Sequence, residues 1–458
     1  MNPFDLSRRA FLRRSALASA VVAFPFVARR NVYGANGRLN LAAIGVGGKG
    51  AADISGCATE NFTALCDPDT GAYTAAMFNK YPAAKRFKDY RVMFEQFADK
   101  FDAVIISTPD HHHAWPALKA MQLGKHVYCQ KPLTHTVYEA RLLTRMAKAK
   151  RVITQMGNQG HCDPDSRRLV EIIQSGVLGD VKEAHVWTDR PIWPQGVNRP
   201  TEQQPVPESL DWDLWLGPAP QRPYHKSYAP FNWRGWWDFG TGSIGDMGCH
   251  NMDLAFWSLR LRDPESVELL EQEGKTDESP AKASVTKWVF PKLKWTDPKT
   301  QKKQTRAEVA LTWYDGGRKP DAKLAKQDKL PPNGCILIGS KDTLYVPMYW
   351  GPGEFLSGRK MEDFTEVPQS LPRFPGADQD NDHAHHQEWV QAVKGNGEAL
   401  SNFAYAGPMT EAVLLGNVAQ RVGKKIKWDP IQMRIRNDKD ANEFLTKKYR
   451  KGWDLPLV

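Results

Sequence analysis

The stretch that most constrains this chain runs from Arg38 to Asp67. Arg38-Leu-Asn-Leu-Ala-Ala-Ile44 has the apolar density of a buried strand, and Gly45-Val-Gly-Gly-Lys-Gly50 follows at once. A helical-looking segment comes next, then a second strand, Asn61-Phe-Thr-Ala-Leu-Cys66, ending in Asp67. Strand, G-x-G-x-x-G, helix, strand, acid is the order that a dinucleotide-binding βαβ unit requires. Gly45 permits the tight turn, Gly47 lets the backbone approach a pyrophosphate, and Gly50 completes the pattern. The helix N-terminus adds N–H donors and the positive end of a dipole. Asp67, 22 residues after Gly45, is placed to accept hydrogen bonds from the adenosine ribose hydroxyls. Its charge opposes a 2′-phosphate, which favours NAD, with NADP the alternative.

The strands that follow extend a parallel sheet. Phe101-Asp-Ala-Val-Ile-Ile-Ser-Thr-Pro109 reads as a buried strand running into Asp110-His-His-His113, with a helix over 114–123. Lys125-His-Val-Tyr-Cys129 delivers Gln130-Lys131-Pro132 at its C-terminal end, the end that faces the ligand crevice in doubly wound sheets. A lysine there can bind a substrate oxygen or tune a neighbouring base. A helix over 136–150 and a strand over 152–156 close a first domain, 36–156, of Rossmann type. The remainder, 157–458, reads as an α/β domain: a helix over 164–175, an alternating strand over 181–187, and strand-like runs at 284–290, 307–313, 334–339 and 342–346. These later runs are hairpin-like and mostly antiparallel. Helices over 385–394 and 410–422 end the pattern, and there are no internal repeats. At 458 residues, two domains are also what chain length predicts.

The second domain holds the sharpest chemical pattern. Gly242-Ser-Ile-Gly-Asp-Met-Gly-Cys-His-Asn-Met-Asp253 places Asp246 and His250 four residues apart, on one face if helical. The carboxylate can then orient the ring and stabilise its charged form, as a proton-transferring histidine needs. Eight of the sixteen tryptophans fall between 187 and 257, among Arg, Asn and Asp, where flat indole faces suit sugar rings.

The N-terminus stands apart. Ser7-Arg-Arg-Ala-Phe-Leu-Arg13, an apolar stretch over 15–27 and the small pair Gly34-Ala35 form a twin-arginine export pattern over 1–35, not a spanning helix. This implies the twin-arginine export machinery as a partner, a periplasmic or otherwise exported location, and no stable membrane insertion. Removing 1–35 lowers the formal net charge from +10 to +5, so half of the basic balance belongs to the signal. Without a basic helix or aromatic RNA-binding motif, nucleic acid is not an expected partner. Six cysteines without C-x-x-C spacing support neither a zinc site nor a disulfide framework. Free thiols suit a chain that folds in the reducing cytoplasm before export. Loop and helix-cap roles account for His111–His113 and for the histidines at 383, 385 and 386, and no metal is expected.

Taken in order, the glycine fingerprint, Thr108-Pro109, Gln130-Lys131-Pro132 and Asp246-x-x-x-His250 resemble the Gfo/Idh/MocA oxidoreductase family over roughly Leu39 to the C-terminus. The family's E-K-P stands here as Gln130-Lys131-Pro132, and its D-x-G-x-H-x-x-D as Asp246-Met-Gly-Cys-His-Asn-Met-Asp253. The resemblance implies a Rossmann domain plus an α/β domain with a large open, mostly antiparallel sheet, assembled as a homodimer or homotetramer. It implies a nicotinamide cofactor and a sugar, polyol or related carbohydrate substrate. Lys131 would bind and polarise the reacting hydroxyl, His250 would be the general acid/base, and Asp246 would hold the substrate or the histidine. Gly45, Gly47, Gly50 and Asp67 would bind the dinucleotide, with Thr108, Pro109 and His113 on the nicotinamide side. Gln130 replaces the usual Glu and can still hydrogen-bond a ribose hydroxyl. A protein exported with its cofactor must regenerate it in place. Sugar oxidoreduction does so with a second substrate, and redox-cycling glycoside cleavage through a transient keto-sugar does so with the same one. A non-catalytic sugar-binding protein with a structural dinucleotide is the third reading.

Overall fold

The computed structural model describes residues 37–297 and 301–457, so the twin-arginine pattern lies outside the described residues. Six parallel strands form the first sheet: β1 (Asn40–Ile44), β2 (Asn61–Cys66), β3 (Lys85–Phe87), β4 (Ala103–Ile106), β5 (His126–Gln130) and β6 (Thr154–Gly157). Their order is β3-β2-β1-β4-β5-β6. The chain reverses direction across the sheet between β1 and β4, and such a switch point opens a crevice at the strands' C-terminal ends. Five helices accompany these strands: α1 (Lys49–Gly56), α2 (Ala72–Lys80), α3 (Tyr90–Phe97), α4 (Ala114–Gln122) and α5 (Val137–Lys150). Thr136 and Glu139 form a capping box that starts α5, and Arg151 in the left-handed region ends it.

Both faces of this sheet are covered, so its strands are apolar throughout. Ala42 and Ile44 enter one core with Val104 and Ile106. Leu41 and Ala43 point the other way and pack with Ile105, Tyr128, Trp389, Val390 and Val393. The last three belong to a helix from far along the chain, α10 below. The first domain's layer is therefore completed by a segment from beyond the 156/157 boundary, and β6 itself runs to Gly157.

After β6 come α6 (Pro164–Gln174), started by the Asp163 cap with proline at its first turn, then α7 (Trp212–Leu216), α8 (Gly242–Asn251) and α9 (Asp253–Ser258). The second sheet uses β7 (Val181–Trp187), β8 (Ser266–Glu273), β9 (Ala283–Phe290), β12 (Val309–Tyr314), β13 (Gly334–Gly339), β14 (Thr343–Val346), β15 (Glu354–Phe355), β16 (Ile426–Asp429) and β17 (Arg434–Ile435). A separate ribbon joins β10 (Leu293–Thr296) to β11 (Lys303–Arg306). The nine strands are ordered β15-β14-β13-β7-β12-β9-β8-β16-β17. The β7–β12 pair is parallel, and the other pairs in this sheet are antiparallel.

Two late helices complete the molecule, α10 (Asn381–Val393) and α11 (Phe403–Val422). The last helix, expected over 410–422, starts seven residues earlier, at Phe403. Asn402 caps it and Pro408 lies inside. Gly407 gives room there to Thr144 of α5, which a Cβ would meet. The indole of Trp288 on β9 donates to the Ala412 carbonyl of α11 at 2.8 Å, which seats that helix on the sheet. All ten residues of α8 are buried between these layers. Its glycines make that possible: a Cβ at Gly248 would come within 2.9 Å of Val413 on α11. Among the described residues no helix is long and apolar enough to cross a membrane.

Candidate active site

The glycine-rich turn leaves β1 and enters α1 by a route closed to side chains. Gly45 has φ +80°, and a Cβ there would lie 2.6 Å from the Ser107 carbonyl oxygen of the neighbouring strand end. Gly48, at φ +51°, is a fourth glycine beyond the expected three; a Cβ on it or on Gly47 would strike Tyr73, and one on Gly50 would strike the Gly45 carbonyl. No side chain caps α1 and no acid lies in its first turn. Its N-terminus therefore keeps its positive end for a ligand, and Lys49 adds a cation at the same point. Asp67, at the end of β2, accepts from Val46 N at 2.9 Å and Asp69 N at 3.0 Å. Burial nevertheless pushes its carboxyl up to about 6. Thr108 lines the same cleft, and its hydroxyl is buried without a protein partner. A cradle that only glycine can form, an uncapped helix end, a carboxylate one strand over and an orphaned hydroxyl fit a dinucleotide.

From this turn a cleft of about 760 Å³ runs to His250, lined on the way by Thr108, Pro109, Gln130 and Lys131. At its far end Lys131 Nζ donates to Asp246 Oδ1 at 2.8 Å. Arg234 Nε lies 3.2 Å from the same oxygen, and Arg190 Nε lies 3.6 Å from Oδ2. Burial opposes ionisation of Asp246, but Lys131 and Arg234 outweigh it and hold the carboxyl well below the usual carboxylate range. The helical expectation for this motif holds; the expected pairing of Asp246 with the histidine does not. His250 Nδ1 is buried without a partner. Burial first, then the Lys131 charge, push its imidazole down to about 3. The site thus contains an ammonium fixed by a carboxylate beside a neutral imidazole, not an imidazolium stabilised by that carboxylate.

Two other expected roles change. His113 is fully buried and does not reach the cleft; its ring nitrogens face the Thr108 and Pro132 carbonyls, each at 2.9 Å. It braces the two turns that carry Thr108 and Lys131, while His112 takes the place on the cleft wall. Gln130 is turned inward. Its Nε2 donates to both oxygens of Asp53 at 3.0 and 2.9 Å, and its Oε1 accepts from Lys131 N at 3.3 Å. Asp53, fully buried on α1, also takes Ser107 Oγ at 2.6 Å and His386 Nε2 at 3.0 Å. Burial again opposes its charge, but His386 and Lys49 hold its carboxyl below the ordinary range. The negative charge absent from position 130 is therefore present one helix away.

Several wall residues carried no motif. Tyr349 and Trp350 follow the last residue of β14 by three and four positions, and their rings lie 5.9 and 6.4 Å from the His250 ring. Of the tryptophan-rich stretch, Trp193, Trp215 and Trp233 line the cleft. Trp187 and Trp236 are buried structural residues, and Trp257 stacks on His161 at 3.7 Å. The same stretch folds across the dinucleotide end: Thr70 N donates to Ser209 O and Asp211 N to Pro68 O, both at 3.0 Å. Pro207, Leu210 and Leu214 thereby join the cleft wall beside Asp67 and Asp69. The clustered histidines are engaged elsewhere, His111 on the carbonyls of Phe239 and Trp215, His385 on Tyr128. All six cysteines are free and buried.

A parallel sheet with a glycine cradle at its switch point, joined to an α/β domain that carries Asp246 and His250, defines a dinucleotide-dependent oxidoreductase fold. Residues 39–158 match the Gfo/Idh/MocA profile described as "Oxidoreductase family, NAD-binding Rossmann fold", and 165–297 match "Oxidoreductase family, C-terminal alpha/beta domain". The chain belongs to the Gfo/Idh/MocA oxidoreductase family, and its first domain is an NAD-binding Rossmann domain. It is 31% identical over 196 residues to a D-xylose 1-dehydrogenase (NADP(+)) of Hypocrea jecorina, covering 43% of this chain and 40% of that enzyme. The curated relatives it matches are spanned over less than half of their own length. Among solved structures, the WlbA dehydrogenase of Bordetella pertussis in complex with NADH and UDP-GlcNAcA superposes with a TM-score of 0.57 at 15% identity, over 86% of this chain and 98% of that one. An aldose-aldose oxidoreductase of Caulobacter crescentus complexed with glycerol superposes with a TM-score of 0.54 at 15% identity, over 85% of this chain and 99% of that one. At these identities the likeness is one of fold.

Proposed function

We propose that this protein is an exported oxidoreductase that moves a hydride between a CH–OH carbon of a carbohydrate and a tightly held NAD. The observation that carries the reading is the Lys131–Asp246 pair at 2.8 Å beside a neutral, buried His250, in a cleft continuous with the glycine cradle. When bound, NAD supplies a ring that accepts a hydride. Gly45, Gly47, Gly48, Gly50 and the start of α1 would hold its pyrophosphate, and Asp67 its adenosine ribose. The Lys131 ammonium donates to the reacting hydroxyl and stabilises negative charge on its oxygen. His250, unprotonated at neutral pH, takes the hydroxyl proton. A ring that binds protons weakly is a weak base, so Lys131 has to make the hydroxyl correspondingly more acidic. Asp246 keeps the ammonium in place.

Dehydrogenase activities on sugars among the relatives support a carbohydrate substrate, and the segment folded over the dinucleotide end supports a cofactor that stays bound. The twin-arginine pattern supports loading before export. We further propose that the open second sheet pairs copies of the chain into a dimer or tetramer. The test is to purify the exported protein without added cofactor and mix it with aldoses, polyols and glycosides. A keto- or acid-product formed with reduced NAD supports the reading. Net hydrolysis of a glycoside with no net redox change would replace it with redox-cycling cleavage. A dinucleotide that no carbohydrate reduces would overturn it.

A further inference from the structure

We infer that the carbohydrate taken by this site carries a carboxylate, and that Arg190 is the residue that recognises it. This rests on the sugar-oxidoreductase reading above and adds the charge class of its substrate.

The charges at the substrate end of the cleft centre on Asp246. Asp246 is the acid that lines this end among the described residues; the other lining acids, at 67, 69, 89 and 382, stand around the dinucleotide cradle. Three cations converge on that one carboxylate: Lys131 at 2.8 Å, Arg234 at 3.2 Å and Arg190 at 3.6 Å. Each cation has a carboxylate, Arg234 through Asp110 and Arg190 through Asp189, so what is left unmet is hydrogen bonding, and it falls on Arg190. Lys131 has its hydrogen bond to Asp246. Arg234 also places Nη1 on both oxygens of Asp110, at 3.0 and 3.1 Å, and lays its guanidinium over Trp233 at 4.2 Å. Arg190 has a single charged hydrogen bond, from Nη1 to Asp189 at 2.6 Å. Its Nε is buried without a hydrogen-bond partner, and 3.6 Å to Asp246 is too long to be one.

A buried donor left without an acceptor is costly, and more so on a charged group. The edge formed by Nε–H and Nη2–H is the edge with which a guanidinium grips both oxygens of a carboxylate. A neutral sugar hydroxyl can accept from one of these donors and leaves the other unmet. A sugar carboxylate accepts from both in charge-assisted hydrogen bonds. The present partner does not stand in the way: Asp189 is 42% exposed, so its pairing with Arg190 is screened by solvent and weak.

The test uses the full-length protein carrying its dinucleotide and matched ligand pairs, D-glucuronate against D-glucose and D-galacturonate against D-galactose. Calorimetry gives affinity, and reduction of the bound dinucleotide gives turnover. In at least one pair the acid is expected to bind about tenfold or more tightly than its neutral counterpart, with an advantage that falls as salt is raised. Arg190→Met should bring the acid-to-neutral ratio close to one, and Arg190→Lys should keep part of it. Equal affinity within both pairs, or a ratio that survives Arg190→Met, overturns the inference. Neutral sugars oxidised without preference do so while leaving the oxidoreductase reading intact; no sugar bound or oxidised overturns both. A hexose phosphate that gains the same Arg190-dependent advantage would show that any anion is read, and the carboxylate assignment would fall.

Discussion

Asp246 holds the ammonium of Lys131 and not the ring of His250, and this decides what each substitution should do. Lys131→Ala removes the donor to the reacting oxygen and leaves Asp246 beside the two arginines. His250→Ala removes the proton acceptor. Each should lower kcat by about 10²- to 10⁴-fold with the fold retained, as steady-state kinetics and circular dichroism would show; unchanged kcat would refute the assignment. Because the ring is neutral down to about 3, no acid limb belonging to His250 should occur between pH 7 and pH 5 in cofactor-loaded protein. Asp67 behaves differently. Its carboxyl titrates near 6, so it is an ionised acceptor above that pH and a neutral acid below it. Affinity for NAD should weaken as pH falls through about 6, and discrimination against NADP should shrink with it, because the charge opposing a 2′-phosphate is lost. Dinucleotide titrations at pH 7.5 and pH 5 check the sign; a preference independent of pH contradicts it.

Several elements meet at Asp53: the ends of β4 and β5 through Ser107 and Gln130, and α10 through His386. Gln130→Glu would put a second carboxylate about 3 Å from the first, where like charges cannot both ionise. That variant should lose dinucleotide and melt lower. Asp53→Asn combined with Gln130→Glu restores one carboxylate and one amide, and should recover much of the loss; a double variant no better than its parents would contradict the account. On the interface of α8 with α11, Gly248→Ala should cost about 1–3 kcal/mol by overpacking against Val413, measured by denaturant unfolding. Five of the six parallel strands, the glycine turn and the D-x-x-x-H helix were legible in the sequence because each has its own period or fixed spacing; the three-residue β3 is too short to show one. The Asp53 junction was not, since a buried Asp in a helix leaves no local trace of partners such as His386, 333 residues away. Tyr349 and Trp350 sit in a loop whose path is set by tertiary contacts, Trp350 against Gly160 and the Gly351 N–H on Ser166. The eight tryptophans were visible as a cluster, but composition could not divide wall residues such as Trp233 from core residues such as Trp236.

As a whole, the molecule keeps many histidines neutral by burial. His112 and His250 are pushed down to about 3 and His126 to about 4, and burial also holds His111, His135 and His385 well below the ordinary imidazole range. Below pH 6.5 the unfolded chain takes up protons that the folded one refuses, so this part of the stability is lost as pH falls. Each such group contributes up to about 1.4 kcal/mol per pH unit. Asp67 and Asp315, raised to about 6 and about 7, act in the opposite sense but are outnumbered. Tm should therefore fall from pH 7 to pH 5, and a flat profile would show that the histidines are not held neutral. The central claim, that Lys131 and His250 serve hydride transfer between a carbohydrate and a resident NAD, has a direct test. The purified protein, with no cofactor added, is mixed with carbon-deuterated sugars and sugar acids and quenched quickly, and the released dinucleotide is weighed by mass spectrometry. Reduced NAD one deuterium heavier is expected from the native protein and none from Lys131→Ala. Released dinucleotide that never carries deuterium, or protein that yields no dinucleotide, would contradict the claim.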